Sequence, residues 1–285
     1  MNLDVEYLRG WIGSEESRNE QVTSSLVERF NATFDLTGDI SDGAVAPLLL
    51  HLCLNATVAP TSALGPDGHP TRGGFLPPVP LQRRMWAGGA FTFHDDIRIG
   101  ETVTRRSKIK DVVVKQGRTG QLCFVTVDHE IESDGRRVIT ERHDIVYRGA
   151  DSANTNSRPS AATPEGIYCK LFVPSPTLLF RYSALTFNGH RIHYDAPYVR
   201  EVEAYPGLIV HGPLQATMLV HFAASIRDKP PFKFNFRSHY PLFDDADFAL
   251  NAIDDGDTMK LWTSRVNCPT AMEAKAQWQP HLNSS

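Results

Sequence analysis

Gly207–Ile226 reads GLIVHGPLQATMLVHFAASI, and the fold turns on this stretch. Gly212 followed by Pro213 marks a helix start, because proline is tolerated in the first helical turn, where its missing N–H breaks no bond. From Pro213 to Ile226 apolar residues cover most faces of the predicted helix, so it belongs inside the molecule rather than on its surface. Downstream, Phe232–Tyr240, Thr258–Val266 and Ala271–Trp278 are strand-like, with Asp254-Asp255-Gly256-Asp257 as one turn. A buried helix followed by a long antiparallel meander predicts a curved sheet wrapped around that helix.

Working outward, the same order occurs upstream. Thr102–Val114, Leu122–Glu132 and Arg137–Tyr147 are dense in β-branched and aromatic residues, with turn chemistry at Gln116-Gly117 through Gly120 and at Ser133-Asp134-Gly135. Val45–Leu54 is the matching helical segment, and each predicted helix follows a Phe-Asn pair, Phe30-Asn31 or Phe187-Asn188. The chain therefore reads as two diverged copies of one α+β unit, over residues 1–150 and 163–285. The stretch 151–162, DSANTNSRPSAA, has the composition of a solvated linker. Ser62–Pro80, rich in glycine and proline, is expected to be a long surface loop, and the terminal HLNSS a frayed tail. A single αβ sandwich with fortuitous internal similarity is the alternative.

Composition bounds the function. The 285 residues carry 29 Lys and Arg against 33 Asp and Glu, a net charge of −4, which disfavours binding nucleic acid by phosphate neutralisation. The longest apolar run, PLLLHLCLNA, falls well short of the ~20 residues of a membrane span. The opening MNLDVEYLRGW lacks a basic segment followed by an apolar one, so a soluble cytoplasmic protein is expected, or one of the mitochondrial matrix in a eukaryote. Cys53, Cys123, Cys169 and Cys268 form no CxxC pair and read as free thiols. The histidines lack metal-site spacing such as H-E-x-x-H, so no metal is expected.

One segment carries chemistry: Phe180–Asp195, FRYSALTFNGHRIHYD. It crowds Asn188, His190, Arg191, His193, Tyr194 and Asp195 into eight residues, a density that usually lines a cleft because unpaired polar groups are costly in a core. A solvated loop with satisfied imidazoles is the bland reading. Further on, the start of the helix at Gly212 leaves free N–H groups and the positive end of a helix dipole, able to hold a carbonyl oxygen as it becomes an oxyanion.

The second half resembles the hydratase-2 or MaoC-type hotdog proteins, whose signature is a D-x-N-P-x-H loop followed by HG at the start of the hotdog helix. His193 falls at the signature histidine, Asn188 at the signature aspartate, and His190 and Arg191 at the Asn and Pro positions. ALTFNGHRIHYD and LIVHGPLQA are more particularly similar to the subgroup of mesaconyl-C4-CoA hydratases, itaconyl-CoA hydratases and HTD2-like 3-hydroxyacyl-thioester dehydratases. RRMWAGGAFTFHDDIRIGETV, KQGRTGQLCFVTVDHEI and DIVYR extend this similarity over the first half.

The resemblance implies a double hotdog. Its N-terminal unit is degenerate and FAS1-type dehydratase-like: five residues after Asn31 stands Leu36, where the second copy has His193. It further implies one site per chain, an acyl-CoA or acyl-carrier-protein thioester as substrate and no cofactor, and self-association into a homo-oligomer. The expected chemistry is reversible addition of water to an α,β-unsaturated acyl thioester. His193 would be the principal acid/base, Asn188 would orient the water or the His193 ring, and the N–H of Gly212 or Leu214 would hold the thioester oxygen. A second proton-handling group could be Asp195 or His190. For a short branched or dicarboxylic substrate, Arg191, Arg84 and Arg237 are candidates to pair a carboxylate. A carrier-protein dehydratase, a thioesterase and a non-catalytic acyl-thioester-binding subunit stay open as rivals.

Overall fold

The computed structural model describes residues 3–117, 120–149 and 162–278. Apart from Ala162, the expected linker lies outside the described residues, as does the terminal HLNSS. The first half contains α1 (Val5–Arg9), β1 (Glu15–Gln21), α2 (Ser24–Phe34), β2 (Arg83–Phe93), β3 (Thr102–Gly117), β4 (Gly120–Ser133) and β5 (Arg136–Arg148). The second contains β6 (Tyr168–Phe172), α3 (Pro176–Leu185), α4 (Ala196–Glu201), α5 (Gly212–Arg227), β7 (Lys233–Ser238), β8 (Phe248–Asp254), β9 (Thr258–Ser264) and β10 (Met272–Gln277).

All ten strands join one antiparallel sheet in the order β1-β3-β4-β5-β2-β7-β10-β9-β8-β6. Counted within each half, that order is 1-3-4-5-2 followed by 2-5-4-3-1. The halves thus carry one topology, joined at their equivalent strands β2 and β7, where Gly88–Thr92 pairs with Lys233–Arg237. The fold is α+β, a double hotdog.

Helix α5 starts after the His211 cap with Pro213 in its first turn and fills the hollow of the second half. Every residue from Leu214 to Val220 is buried, against β8, β9, β10 and the seam strands β2 and β7. Burying each large side chain of this run stabilises the fold by about 1.5–3 kcal/mol. The strands meet it with alternate residues: in β7, Phe234 and Phe236 are buried whereas Lys233, Asn235 and Arg237 are exposed.

The first half departs from expectation at the matching position. Val45–Leu54 is not a helix; only Leu50–Cys53 forms a 3-10 turn. Pro47 withholds an N–H and biases Ala46 away from helical angles, and Leu49 and Asn55 bracket the turn with positive φ, 61° and 58°. Leu49, Leu50, Cys53 and Leu54 are nevertheless buried, so their side chains occupy the hollow without a helix.

The Phe-Asn pairs also fail to coincide. Phe30 and Asn31 lie buried inside α2, whose N-terminus is capped by Thr23, and Phe30 packs on Phe34 at 4.6 Å. Phe187 instead follows the end of α3, is exposed and has φ 49°. The two pairs sit at different points of equivalent helix–loop units, so sequence spacing alone misjudged their register.

Candidate active site

The segment after α3 turns sharply at Phe187, passes through a single 3-10 turn, Arg191–His193, and enters α4. The turn carries His193 against the start of α5. Its Nδ1 donates to the carbonyl of Ile209 at 2.7 Å, which leaves Nε2 with a free lone pair. Its ring lies face to face on that of His211, the residue capping α5, with centroids 3.6 Å apart. His211 is itself held through Nε2 by the hydroxyl of Ser183 on α3 at 2.8 Å. His193 and the first turn of α5 therefore form one packed unit.

Both border a cavity of about 640 Å³, within the range of small-molecule sites. Asn188, His190, His193, His211, Gly212 and Arg84 line it, as do Trp86, Tyr147 and Gln215. A Cβ on Gly212 would meet nothing nearer than 3.8 Å, the carbonyl of Trp86, so the bare glycine is not forced by crowding in the protein. It leaves open space at the helix start. Leu214 turns its side chain into the core, and only its backbone faces the helix end.

Other expected residues are committed elsewhere. Asp195 caps α4, accepting from Tyr198 N–H at 3.1 Å and from Arg191 Nε at 2.9 Å, and these bonds hold its carboxyl below the usual range. It is not among the cavity-lining residues. Arg191 is spent on Asp195, on the Pro66 carbonyl at 2.9 Å and on the Tyr198 ring at 4.1 Å. Arg237 lies on the opposite face of the sheet, beside Arg142 and Lys260, because strand alternation turns it away from α5. Of the three arginines considered, Arg84 alone reaches the cavity, beside Tyr147 and His69. No carboxylate lies within 4.0 Å of its guanidinium among the described residues.

Sequence reasoning missed the contribution of Ser62–Pro80. This stretch is not a bare surface loop: Gly65–His69 forms a tight turn docked on the Asn188–His193 segment and puts Asp67 and His69 into the cavity wall. His69 Nδ1 donates to Asp67 Oδ2 at 3.0 Å, and the His69 ring lies 4.1 Å from that of His190. Potential metal-ligand atoms of Asp67, His69 and His190 all fall within 4.8 Å of one another, although the first two already engage each other. The glycine-flanked histidine in PDGHP was the available signal.

Farther along the cavity, the first half contributes His129 and His143, beside the fully buried Glu141. Burial alone would raise the Glu141 pKa, but contacts with His143 and with His51, the latter at 3.3 Å, hold it well below the usual range.

Burial sets the protonation of the site. It pushes His193 down to about 4 against the supporting bond to Ile209, and it lowers His69, His190 and His211 as well. These imidazoles are neutral at pH 7. His193 is then a base with its lone pair on Nε2, and once protonated a strong acid.

The geometry meets the known proteins at this point. The family model for hydroxyacyl-thioester dehydratase type 2 matches residues 49–244. The chain belongs to that family. Hydroxyacyl-thioester dehydratases are hydro-lyases, and this chain is one. It is 40% identical over 269 residues to the mesaconyl-C(4)-CoA hydratase of Chloroflexus aurantiacus, covering 94% of this chain and 96% of that one. A MaoC-like dehydratase from Phytophthora capsici superposes with a TM-score of 0.70 at 12% identity, over 99% of this dehydratase-family chain and all of that one. A Mycobacterium tuberculosis protein described as a double hotdog does so at 0.56 and 10%, over 93% and 96% of the two chains. The two structural likenesses speak for the fold.

Proposed function

We propose that this enzyme reversibly adds water across the double bond of a short branched or dicarboxylic enoyl-CoA, with His193 as its acid/base. One observation carries the reading: the free Nε2 side of a neutral, tautomer-fixed imidazole lies beside the first turn of α5 on a common cavity. His193 Nε2 takes one proton from water as the water oxygen bonds to the β-carbon. The double-bond electrons move onto the thioester oxygen, which the N–H of Gly212 or Leu214 holds; Pro213 has none to offer. The enolate then takes the same proton at its α-carbon, and His193 returns to its starting form.

Similarity to the mesaconyl-C(4)-CoA hydratase favours a substrate with a free carboxylate. Arg84, in the cavity wall beside the Tyr147 hydroxyl and with no carboxylate partner among the described residues, is the residue to bind it. The reaction calls for no cofactor beyond the thioester itself. Assay of the purified protein against enoyl-CoA and enoyl-carrier-protein esters, following enoyl absorbance and thiol release together, tests the reading. Hydration without thiol release, abolished in His193→Ala, is expected. Thiol release would indicate a thioesterase, faster turnover of carrier-protein esters a synthase-type dehydratase, and turnover of nothing a binding subunit.

A further inference from the structure

Two turns from different halves of the molecule meet at the site, and they are built alike. One is Asp67-Gly68-His69, the other Asn188-Gly189-His190. In each, Oδ1 of the first residue accepts from the backbone N–H of the histidine at 3.0 Å. They touch glycine to glycine: a Cβ on Gly68 would fall 1.9 Å from the Gly189 carbonyl oxygen, and one on Gly189 would fall 2.7 Å from that of Gly68. Only a pair of glycines allows this approach. Arg191 fastens the turns together, its N–H donating to the Asp67 carbonyl and its side chain to that of Pro66, both at 2.9 Å.

The turns differ in one consequential atom. Asp67 has a second carboxylate oxygen, and it accepts from His69 Nδ1. Asn188 has an NH2 in its place, which donates, and its Oδ1 already accepts from the His190 N–H. Water, however, presents two hydrogens, and the scheme above engages one of them, at His193 Nε2. The other needs an acceptor. Nothing fixes the tautomer of His190 through a side-chain bond among the described residues, whereas Asp67 leaves the His69 lone pair on Nε2, in the wall of the same cavity.

We infer that His69, oriented by Asp67, is the second acceptor on the attacking water, taking the place that the NH2 at 188 cannot fill. His69 Nε2 holds the hydrogen that stays on the product hydroxyl, while His193 Nε2 carries the other to the α-carbon. The water oxygen bonds to the β-carbon, and no further reactant enters. His69 is then a catalytic residue and Asp67 its positioning residue, so the half that lacks the catalytic segment still completes the site.

The inference rests on the hydration reading proposed above. The test measures kcat and KM for hydration of crotonyl-CoA and mesaconyl-C4-CoA by the full chain and its variants. His69→Gln should lower kcat at least tenfold with KM within threefold and melting temperature unchanged. Asn188→Asp, added to His69→Gln, should restore at least fivefold of that loss, because a carboxylate at 188 offers the missing acceptor. A merely structural His69 would not respond to it. A His69→Gln kcat within twofold of the parent, or a loss that Asn188→Asp leaves untouched, overturns the assignment. So does parent activity lost to a chelator and regained with zinc, which would make the Asp67–His69–His190 group an ion site. With His193→Ala inactive, any of these leaves the hydration reading standing; a fully active His193→Ala removes both.

Discussion

The two halves carry the same five strands in mirrored order, yet their hollows are filled differently. In the second half sixteen residues of α5 run through the core and aim their first turn at His193. In the first, the equivalent place holds a four-residue 3-10 turn, and the buried polar group beside it is a hydrogen-bonded cluster, Glu141 between His51 and His143. The strands form the frame in both. In the second half the end of a long helix lies beside an imidazole whose Nε2 faces the cavity. The half without a long central helix lends a loop to the site instead.

The comparison can be tested by variants in matched positions. Leu219 and Leu50 are both fully buried. Leu219→Ala, in the rigid helix, should cost about 2–5 kcal/mol, and Leu50→Ala less, because an irregular segment can collapse onto the space. Equal losses in chemical denaturation would mean that the two hollows are equally well packed. Next, His193→Ala should lower kcat by at least about 10²-fold, the lower end of acid–base contributions. His51→Ala, at a buried first-half histidine that does not line the cavity, should leave kcat within a few fold. A comparable fall in both would place chemistry in the first half too.

Gly212→Ala should reduce kcat/KM roughly tenfold through misplacement of the acyl group, as a small displacement at the reacting centre is enough for such a loss. Its melting temperature should not change, since the new Cβ has room in the free protein. The smallest effect is on pH. His193 is depressed from an ordinary 6.5 to about 4, so the unfolded chain binds the proton more tightly. Its contribution to stability is complete above pH 6.5 and is lost as pH falls towards 4. Denaturation midpoints of the parent should drop across that window more steeply than those of His193→Gln.

The long strands β3, β4 and β5 were legible because alternation and turn residues are local signals, and each begins and ends within a few residues of its expected bounds. Strands β1, β2, β6 and β8 were not: β1, EESRNEQ, is polar throughout, an edge strand whose existence depends on β3 beside it. His193, Asn188 and Gly212 stood out because their types and spacing are unusual within a short segment. Asp195 stood out equally, yet it serves as a helix cap, and nothing in its neighbours along the chain separates a capping carboxylate from a proton-handling one.

The chain by itself determined the duplicated α+β architecture, the buried helix and the crowded segment at its approach, all consequences of periodicity and of short-range backbone preference. Tertiary structure alone decided which imidazoles turn a lone pair to the cavity, which arginine reaches it, and that residues 67–69 reach a histidine more than a hundred positions away. Those are choices among partners, and a side chain's partners are fixed by the packing of distant segments rather than by its neighbours in sequence.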